Sequence, residues 1–223
     1  MTLPVGGRRM PSPQLGGTGS LADDLYLLAH HERTGRPVLS PRAAGLGLAG
    51  ALLGELVLAD AIAICRSEVV TGASQADDAL TAAVLGQVTG EDRTRPVGEW
   101  LAFLARTAPG GVAGRLEAAG YLIAVPARPW RPQRWVPVSA DCAFAPVTRV
   151  KAALNPSRPA DAQAVALAGL AEACGLGARL AAWLPPGSRP RMEAAAGRLD
   201  AGLREVITAT HAAVGAALLA HRI

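Results

Sequence analysis

Residues 47–58, Gly-Leu-Ala-Gly-Ala-Leu-Leu-Gly-Glu-Leu-Val-Leu, decide how this chain folds. Leu48, Leu52 and Leu56 recur at a spacing of four, which places them along one side of an α-helix. The glycines between them leave a second side small enough for a neighbouring helix to pack closely. The stretch therefore predicts a buried core helix that runs from about Pro41 to Leu58.

A membrane-spanning helix is the main alternative for this apolar region. From residue 43 to residue 65 the only charged side chains are Glu55 and Asp60. Each of them would cost about 2.5 to 3.5 kcal/mol at the centre of a bilayer. We therefore favour a buried helix, followed by a short β-hairpin whose strands, 61–65 and 68–70, meet at a turn at residues 66–67.

The segment 120–138 looks least like an ordinary protein interior. Two extended apolar arms flank a centre of arginine, proline and tryptophan, and no acidic residue occurs between Glu117 and Asp141. Arginine attracts anionic groups, and tryptophan favours an interface that is apolar on one side and wet on the other. The pattern predicts a second hairpin that contacts a membrane or a partner. Its contact residues are Arg128, Trp130, Arg131, Arg134 and Trp135.

The rest of the chain predicts a mainly α-helical protein. Residues 1–19 are rich in glycine, proline and serine and are expected to form a mobile N-terminal tail. Residues 20–223 are expected to form a single helical-core domain decorated with short β-hairpins. Asp23 and Asp24 fall in the first turn of a helix, where they would complement the helix dipole. The apolar spacing from Met192 to Leu218 predicts one amphipathic helix of about thirty residues.

Bulk composition limits the possible partners and the cellular compartment. The chain has 22 basic and 18 acidic residues, and a net charge of +4 is too small to indicate nucleic-acid binding. The three cysteines show no CxxC spacing, which favours reduced thiols over disulfides or a zinc site. No apolar signal-peptide core follows Arg8-Arg9. We expect a cytoplasmic protein that binds no metal.

Motifs that carry catalysis are absent from the sequence. It contains no nucleophile elbow, Walker loop, HExxH pair or dinucleotide-binding glycine pattern. Glu55 is a carboxylate in an apolar helix, but it is more simply explained as a buried acid bonded to backbone or to an arginine. Cys174, on an alanine-rich helix, is more simply a small core residue than a nucleophile. The prediction is a protein without enzymatic activity and without a cofactor.

Three motifs, in this order, resemble the Golgi phosphoprotein 3 family, which has a bacterial branch and eukaryotic Golgi adaptors. The first is the acidic and apolar opening at residues 21–28, LADDLYLL. The second is the stretch 47–58, with the pattern Gly-Leu-x-Gly followed by Glu-Leu-x-Leu. The third is LEAAGYL at residues 116–122, which resembles the helix end that leads into the family's apolar hairpin. The resemblance covers the chain from about residue 20 to its C-terminus.

The resemblance implies a function as well as a fold. Golgi members of the family bind phosphatidylinositol 4-phosphate through a pocket built from a tryptophan and arginines, and the neighbouring hairpin contributes to membrane contact and self-association. By position, the arginine of the Gly-Leu-x-Gly pattern falls at Ala49 and the tryptophan near Ser40. Arg42 is the nearest charged substitute.

Two further arginines of that pocket are expected before the helix that begins near Asp161. Arg158 corresponds to one of them, and the other falls near Ala162. The resemblance therefore gives Arg42 and Arg158 as headgroup-binding residues. A phosphate monoester needs several converging donors, so a pocket with so few arginines predicts weak selectivity for phosphoinositides.

Two functions follow from these observations. In the first, the protein is a peripheral membrane protein that binds an anionic lipid or phosphoinositide-like headgroup through the hairpin and nearby arginines. In the second, it is a protein-binding or self-associating scaffold without a lipid role, in which a long hairpin pairs edge to edge to form a homo-oligomer. A third, structural interpretation has the tryptophans fold back to cover the core.

Overall fold

The computed structural model describes residues 18–126, 133–155 and 161–220. In these ranges the chain forms α-helices and two small antiparallel sheets, which confirms the mainly α-helical prediction. The elements, in chain order, are α1 Leu21–Leu28, α2 Pro41–Leu58, β1 Ile62–Cys65, β2 Glu68–Thr71, α3 Ala79–Thr89, β3 Arg95–Pro96, α4 Val97–Leu104, α5 Ala108–Ala118, β4 Leu122–Val125, β5 Arg134–Pro137, α6 Ala140–Ala153, α7 Ala162–Ala173, α8 Gly177–Ala181, α9 Ser188–Ala196 and α10 Ala201–Ala220.

Helix α2 is the centre of the core, as its sequence predicts. Ser40 caps it by accepting a hydrogen bond from the Ala43 amide at 3.2 Å, and proline occupies the first helical position, where its missing N–H does no harm. The helix packs against α1, α4, α5, α7 and α10. Its glycines make this possible, because a methyl group at Gly50 would overlap the Thr210 hydroxyl of α10, and one at Gly47 would overlap the Cys174 sulfur.

Two helices, α2 and α10, are long and apolar enough to cross a bilayer by length and composition. Burial accounts for the apolar character of α2, since 78% of it lies inside the folded structure. Helix α10 buries one stripe, with Leu203, Val206, Thr210 and Val214 facing the core. Length and composition are thus weak grounds for a membrane span in either helix.

The hairpin after α2 is also present. Strands β1 and β2 pair from Ile62↔Thr71 to Cys65↔Glu68, and Arg66 and Ser67 form the turn, both with positive φ. The short strand β3 adds to this sheet beside β2, which the sequence did not reveal. A strand of two residues is too short to show an alternating apolar pattern in the sequence.

The prediction of one long C-terminal helix is wrong. The chain forms two helices, α9 and α10, with a break at residues 197–200. Asp200 starts the second helix by accepting a hydrogen bond from the Gly202 amide at 2.7 Å, in the manner of an N-cap. Leu199, inside the break, is buried. Apolar residues keep their helical spacing through the break, because the chain contacts the core on both sides of it.

Residues 18 and 19 of the predicted tail belong to the ordered part of the chain. The Thr18 amide donates to the Asp24 carboxylate at 3.2 Å, ahead of α1. The remainder of the predicted mobile tail, residues 1–17, lies outside the described residues.

Candidate functional site

The second hairpin forms at the predicted place, with two distinct faces. Strands β4 and β5 pair in the register Leu122↔Pro137, Ile123↔Val136, Ala124↔Trp135 and Val125↔Arg134. Directly opposed residues share a face of the sheet. Leu122 is buried and marks the inner face, whereas Ile123 is 58% exposed and marks the outer face. Arg134 therefore lies on the outer face, and Trp135 on the inner one.

Trp135 attaches the hairpin to the body of the protein. Its indole nitrogen donates a hydrogen bond to the Glu117 carboxylate at 2.9 Å, and its ring packs against the hydrophobic core. The side chain thus occupies the position that the fold-back interpretation describes. Its predicted role in contacting a membrane or partner stays a prediction, and the outer face of this hairpin is the surface open to such contact.

Several predicted site residues cannot be placed. Arg128, Trp130 and Arg131, at the hairpin tip, lie outside the described residues, and so does Arg158. Their assigned roles remain predictions from the sequence. The part of the site that can be described consists of the base of the hairpin and the elements that contact it.

The loop that connects α1 to α2 lies directly on strand β5. Gly35, with a φ of +61°, sits against the Trp135 carbonyl and the Val136 backbone, so closely that no side chain would fit there. The loop is closed by a bridge between His30 and Pro37. Its arginines, Arg33 and Arg36, are exposed on either side of this contact.

The start of α2 lies against the connection between α4 and α5. Gly45 contacts the Ala105 carbonyl, and a methyl group at position 45 would overlap that oxygen. Arg42, on the first turn of α2, is exposed, and so is Arg106, which follows the contact point. The sequence alone did not single out Arg106. Only the packing of Gly45 against Ala105 brings Arg106 to the end of the molecule that carries Arg42.

Five arginines lie on the segments that these contacts bring together, and we call this set the basic face. It consists of Arg33, Arg36, Arg42, Arg106 and Arg134. Among the described residues, none of the five guanidinium groups forms an ion pair.

Two acids near the basic face are already engaged. Glu32 pairs with Arg179 at 3.0 Å, and Glu117 accepts from Trp135. Large apolar side chains are exposed on the same or directly adjoining elements: Val38 in the α1–α2 loop at 42%, Phe103 on α4 at 51% and Ile123 on β4 at 58%. The basic face therefore offers unneutralised positive charge together with apolar side chains.

A second cluster of charge lies in the interior, and it is occupied by its own partners. Arg115 of α5 reaches Asp23 of α1 at 2.8 Å, Glu55 of α2 at 3.0 Å and Asp78 at 2.9 Å. Glu55 also accepts a hydrogen bond from the Ala22 amide at 2.7 Å. The expectation of a buried carboxylate bonded to backbone and arginine is thus confirmed. One guanidinium group thus ties α5 to α1, to α2 and, through the N-cap residue Asp78, to the start of α3.

The acids of α1 lie in its first turn, as predicted, and they have a second role. Asp23 and Asp24 are both buried, and each pairs with an arginine. Asp24 pairs with Arg149 of α6 at 3.1 Å, while Asp23 binds Arg115. Their place in the first turn was predictable from the sequence, but their ion-pair partners lie about 90 or more residues away along the chain, where local patterns carry no information.

The protonation of this cluster follows from its charge and burial. Burial raises the pKa of the Asp23 carboxyl from 3.8 to about 7 and that of Asp24 to about 6, against the opposing effects of Arg115 and Arg149. Burial likewise raises the pKa of Glu55. For Asp78, burial also acts to raise the pKa, but Arg115 and hydrogen bonds from Leu80 and Thr81 outweigh it, so the pKa is lowered.

We expect the free energy of unfolding to fall as pH rises from about 4 to about 7. A carboxyl whose pKa is raised on folding stabilises the fold fully below its unfolded pKa, and this contribution is lost as pH rises through the folded pKa. For Asp23 and Asp24 the loss should occur between about pH 4 and about pH 7. Asp78, whose pKa is lowered, affects stability only at pH values below that window. Thermal unfolding from about pH 5 to about pH 8 should show a falling midpoint.

The variant Asp23→Asn should flatten this profile, because an amide can still accept from Arg115 but cannot titrate. Asp92→Asn, at an exposed position, is the control and should keep the wild-type slope. A wild-type midpoint that rises steadily with pH over this interval would refute the assignment.

Cys174 and the His, Cys, Asp and Glu side chains of the described chain are the groups that bear on catalysis and metal binding. Cys174 is buried, and burial raises the pKa of its thiol to about 12, so it is a protonated core residue as expected. Within residues 18–126, 133–155 and 161–220, no group of three or more His, Cys, Asp or Glu side chains could hold a metal ion.

Comparison with known proteins agrees with the architecture. The family model described as Golgi phosphoprotein 3 (GPP34) matches residues 21–220, which is most of the chain. No curated protein matches the chain. The match begins at the first residue of α1 and ends at the last described residue of α10, so it includes both hairpins and the buried charge cluster. The chain belongs to the Golgi phosphoprotein 3 family.

Proposed function

We propose that the protein is a non-enzymatic peripheral membrane protein that binds anionic lipid surfaces through the basic face. The observation that supports this most is the set of five arginines without ion-pair partners in the described chain, on or directly next to the elements that expose Val38, Phe103 and Ile123. Each basic residue near an anionic surface contributes about 1 kcal/mol to attachment. Exposed apolar side chains add to it by entering the headgroup region.

The proposal places the hairpin with its outer face toward the lipid. Ile123 and Arg134 lie on that face, and the tip residues Arg128, Trp130 and Arg131 extend the same basic and aromatic sequence. The inner face, with Trp135, holds the hairpin in position on the core. Attachment would therefore be peripheral, on the cytoplasmic side of a membrane.

Selectivity for one phosphoinositide is not part of this proposal. Ala49, at the position where the family has an arginine, is 0% exposed, and its methyl group has no donor to offer a bound headgroup. Arg42 and Arg106 both lie where α2 meets the α4–α5 connection, and they could contact a phosphate from that end of the molecule. We propose recognition of phosphate and negative surface charge, with phosphatidylinositol 4-phosphate as one ligand of that class.

Charge-neutralising variants test the basic face. Arg42→Gln and Arg106→Gln should each weaken binding to vesicles of phosphatidylcholine with about a third phosphatidylserine by roughly fivefold, which corresponds to about 1 kcal/mol. Co-sedimentation measures the effect. Both side chains are exposed, so neither change should affect folding.

Arg189→Gln is the matched control, because Arg189 is exposed on α9 and pairs with Glu193, away from the basic face. Binding that is unchanged in the Arg42 and Arg106 variants, or equally reduced in the control, would rule out the basic face as the attachment surface.

The second candidate is a scaffold that binds another protein or its own copy. It is favoured by the β4–β5 sheet, which has only two strands among the described residues and so offers strand edges for pairing. Light scattering separates the candidates. An oligomer that resists salt, depends on the hairpin and forms without vesicle binding would favour the scaffold over lipid attachment.

A further inference from the structure

The C-terminal end of α10 carries apolar side chains that the fold leaves exposed. Leu218 is 53% exposed, and Leu219 is 67% exposed, more than any other large apolar side chain among the described residues. Burial accounts for the apolar character of α10 far less than for that of α2, since 28% of its apolar stretch lies inside the folded structure against 78% for α2. The leucines at the end of α10 therefore call for a partner outside the core.

Helix α10 runs antiparallel to α2, its main neighbour in the core. Near the start of α10, a methyl group added at Gly202 would lie 3.5 Å from the side chain of Val57, which is close to the end of α2. Further along α10, the Thr210 hydroxyl lies against Gly50, in the middle of α2. The C-terminal end of α10 therefore lies beside the N-terminal end of α2.

The exposed leucines thus lie at the end of the molecule that carries the basic face. From the contact between Thr210 and Gly50, Leu218 is eight residues onward along α10 and Arg42 is eight residues back along α2. Each span is about 12 Å of helix, so Leu218 and Arg42 are nearly level. Exposed Phe103 lies close to this level too, because α4 packs against both helices.

The charge of this end is of one sign. Three stretches of chain reach it, and none of them contains an aspartate or glutamate: residues 33–54, 100–116 and 206–223. Four arginines of the basic face, all except Arg134, belong to the first two stretches. A partner that meets this end therefore encounters exposed leucines beside positive charge. A bilayer with anionic headgroups over apolar chains complements both features.

We propose that the last turn of α10 enters an anionic bilayer, with Leu218 and Leu219 at the boundary between headgroups and acyl chains. The inference rests on the proposed lipid function and adds an apolar anchor that neither the hairpin nor the arginines supply. Insertion is limited to the last turn, because Val214 and Ala217 are buried against the rest of the protein. The helix therefore anchors the protein at the surface and does not cross the bilayer.

A fluorophore beside the leucines tests the insertion in the full-length chain. Exposed Cys65 is changed to serine, and Ala220→Cys is labelled with a dye whose emission depends on solvent polarity. On vesicles of phosphatidylcholine with about a third phosphatidylserine, the emission should shift to the blue and be quenched by lipids brominated in the acyl chain. Ala201→Cys, exposed at the opposite end of the same helix, is the matched control, and its label should not respond.

Removing one leucine tests the anchor without a label. Leu219→Ser should weaken binding to the same vesicles by roughly fivefold, because serine gains little from entering the lipid. The factor should be similar at low and high salt, since apolar transfer is not screened, whereas the effect of Arg42→Gln should shrink as salt rises. Leu58→Ser, at the exposed last residue of α2 and the opposite end of the molecule, is the control and should bind as the wild type does.

The possible outcomes separate this inference from the function on which it rests. Absence of vesicle binding by the unlabelled protein would overturn both. Vesicle binding without a response at position 220, with an equal response at position 201, or with full affinity in Leu219→Ser would overturn the α10 anchor alone. A blue shift that appears without vesicles and grows with protein concentration would overturn it too, because the leucines would then contact a second copy of the chain.

Discussion

Replacing Arg115 with methionine is expected to reduce the free energy of unfolding by about 3 to 5 kcal/mol. The guanidinium group is the common partner of Asp23, Glu55 and Asp78, with each distance at or below 3.0 Å. Its removal leaves the buried carboxyls of Asp23 and Glu55, whose pKa values are raised, and the carboxylate of Asp78, whose pKa is lowered, without this counter-charge. Protonation can relieve part of this effect, so the loss should be greatest at alkaline pH.

Denaturant unfolding of Arg115→Met measures the loss directly. Arg189→Met is the control, since its ion pair with Glu193 has both side chains well exposed, and such a pair contributes about 1 kcal/mol or less. A loss below about 1 kcal/mol for Arg115→Met would show that the cluster does not hold α1, α2 and α5 together as described.

Gly45→Ala is expected to destabilise the protein by about 1 to 3 kcal/mol, although alanine favours helices more than glycine does. The added methyl group would overlap the Ala105 carbonyl oxygen. A backbone atom cannot rotate away as a flexible side chain can, so α2 and the α4–α5 connection must separate. The change should also weaken vesicle binding, because it moves Arg42 relative to Arg106.

Gly86→Ala provides a matched control for helix propensity. Gly86 lies within α3, where an added methyl group would meet nothing within 4 Å. This change should therefore stabilise the protein by roughly 0.5 to 1 kcal/mol. Thermal and denaturant unfolding of both variants compares the signs. A stabilising Gly45→Ala would contradict the close approach at the base of the basic face.

The parts of the fold that were predictable are those with a local signal. The boundaries of α2 followed from Pro41 and the four-residue leucine spacing, and the hairpin after it followed from two short apolar runs. The break between α9 and α10 was missed because apolar residues keep their helical spacing across it. Only the cap formed by Asp200 marks the new start, and a lone aspartate is a weak signal.

The sequence predicted the hairpin part of the site and, through the family resemblance, Arg42. Arg134 was identified from the arginine and tryptophan pattern, but Arg33, Arg36 and Arg106 were not, since they join the basic face through contacts at Gly35 and Gly45. The same limit applies to the interior. The partners of Arg115 are 37, 60 and 92 residues away, and no periodic pattern links positions so distant.

The two ends of α2 thus have opposite character. Its N-terminal end joins the basic face, and its C-terminal end borders a cavity whose lining includes the carboxylates of Glu55, Asp77 and Asp78. The helix between them is packed on several sides by other helices and braced by the Arg115 cluster.

Binding of the full chain to a panel of vesicles at two salt concentrations tests the proposed function most directly. The panel should contain phosphatidylcholine alone and with phosphatidylserine or phosphatidylinositol 4-phosphate at matched surface charge. We predict binding to both anionic compositions, little to phosphatidylcholine alone, and a clear loss when salt rises from about 0.05 M to about 0.3 M, because exposed charges are then screened. Equal binding to neutral vesicles, binding that ignores salt, or no binding to any anionic composition would contradict attachment through the basic face.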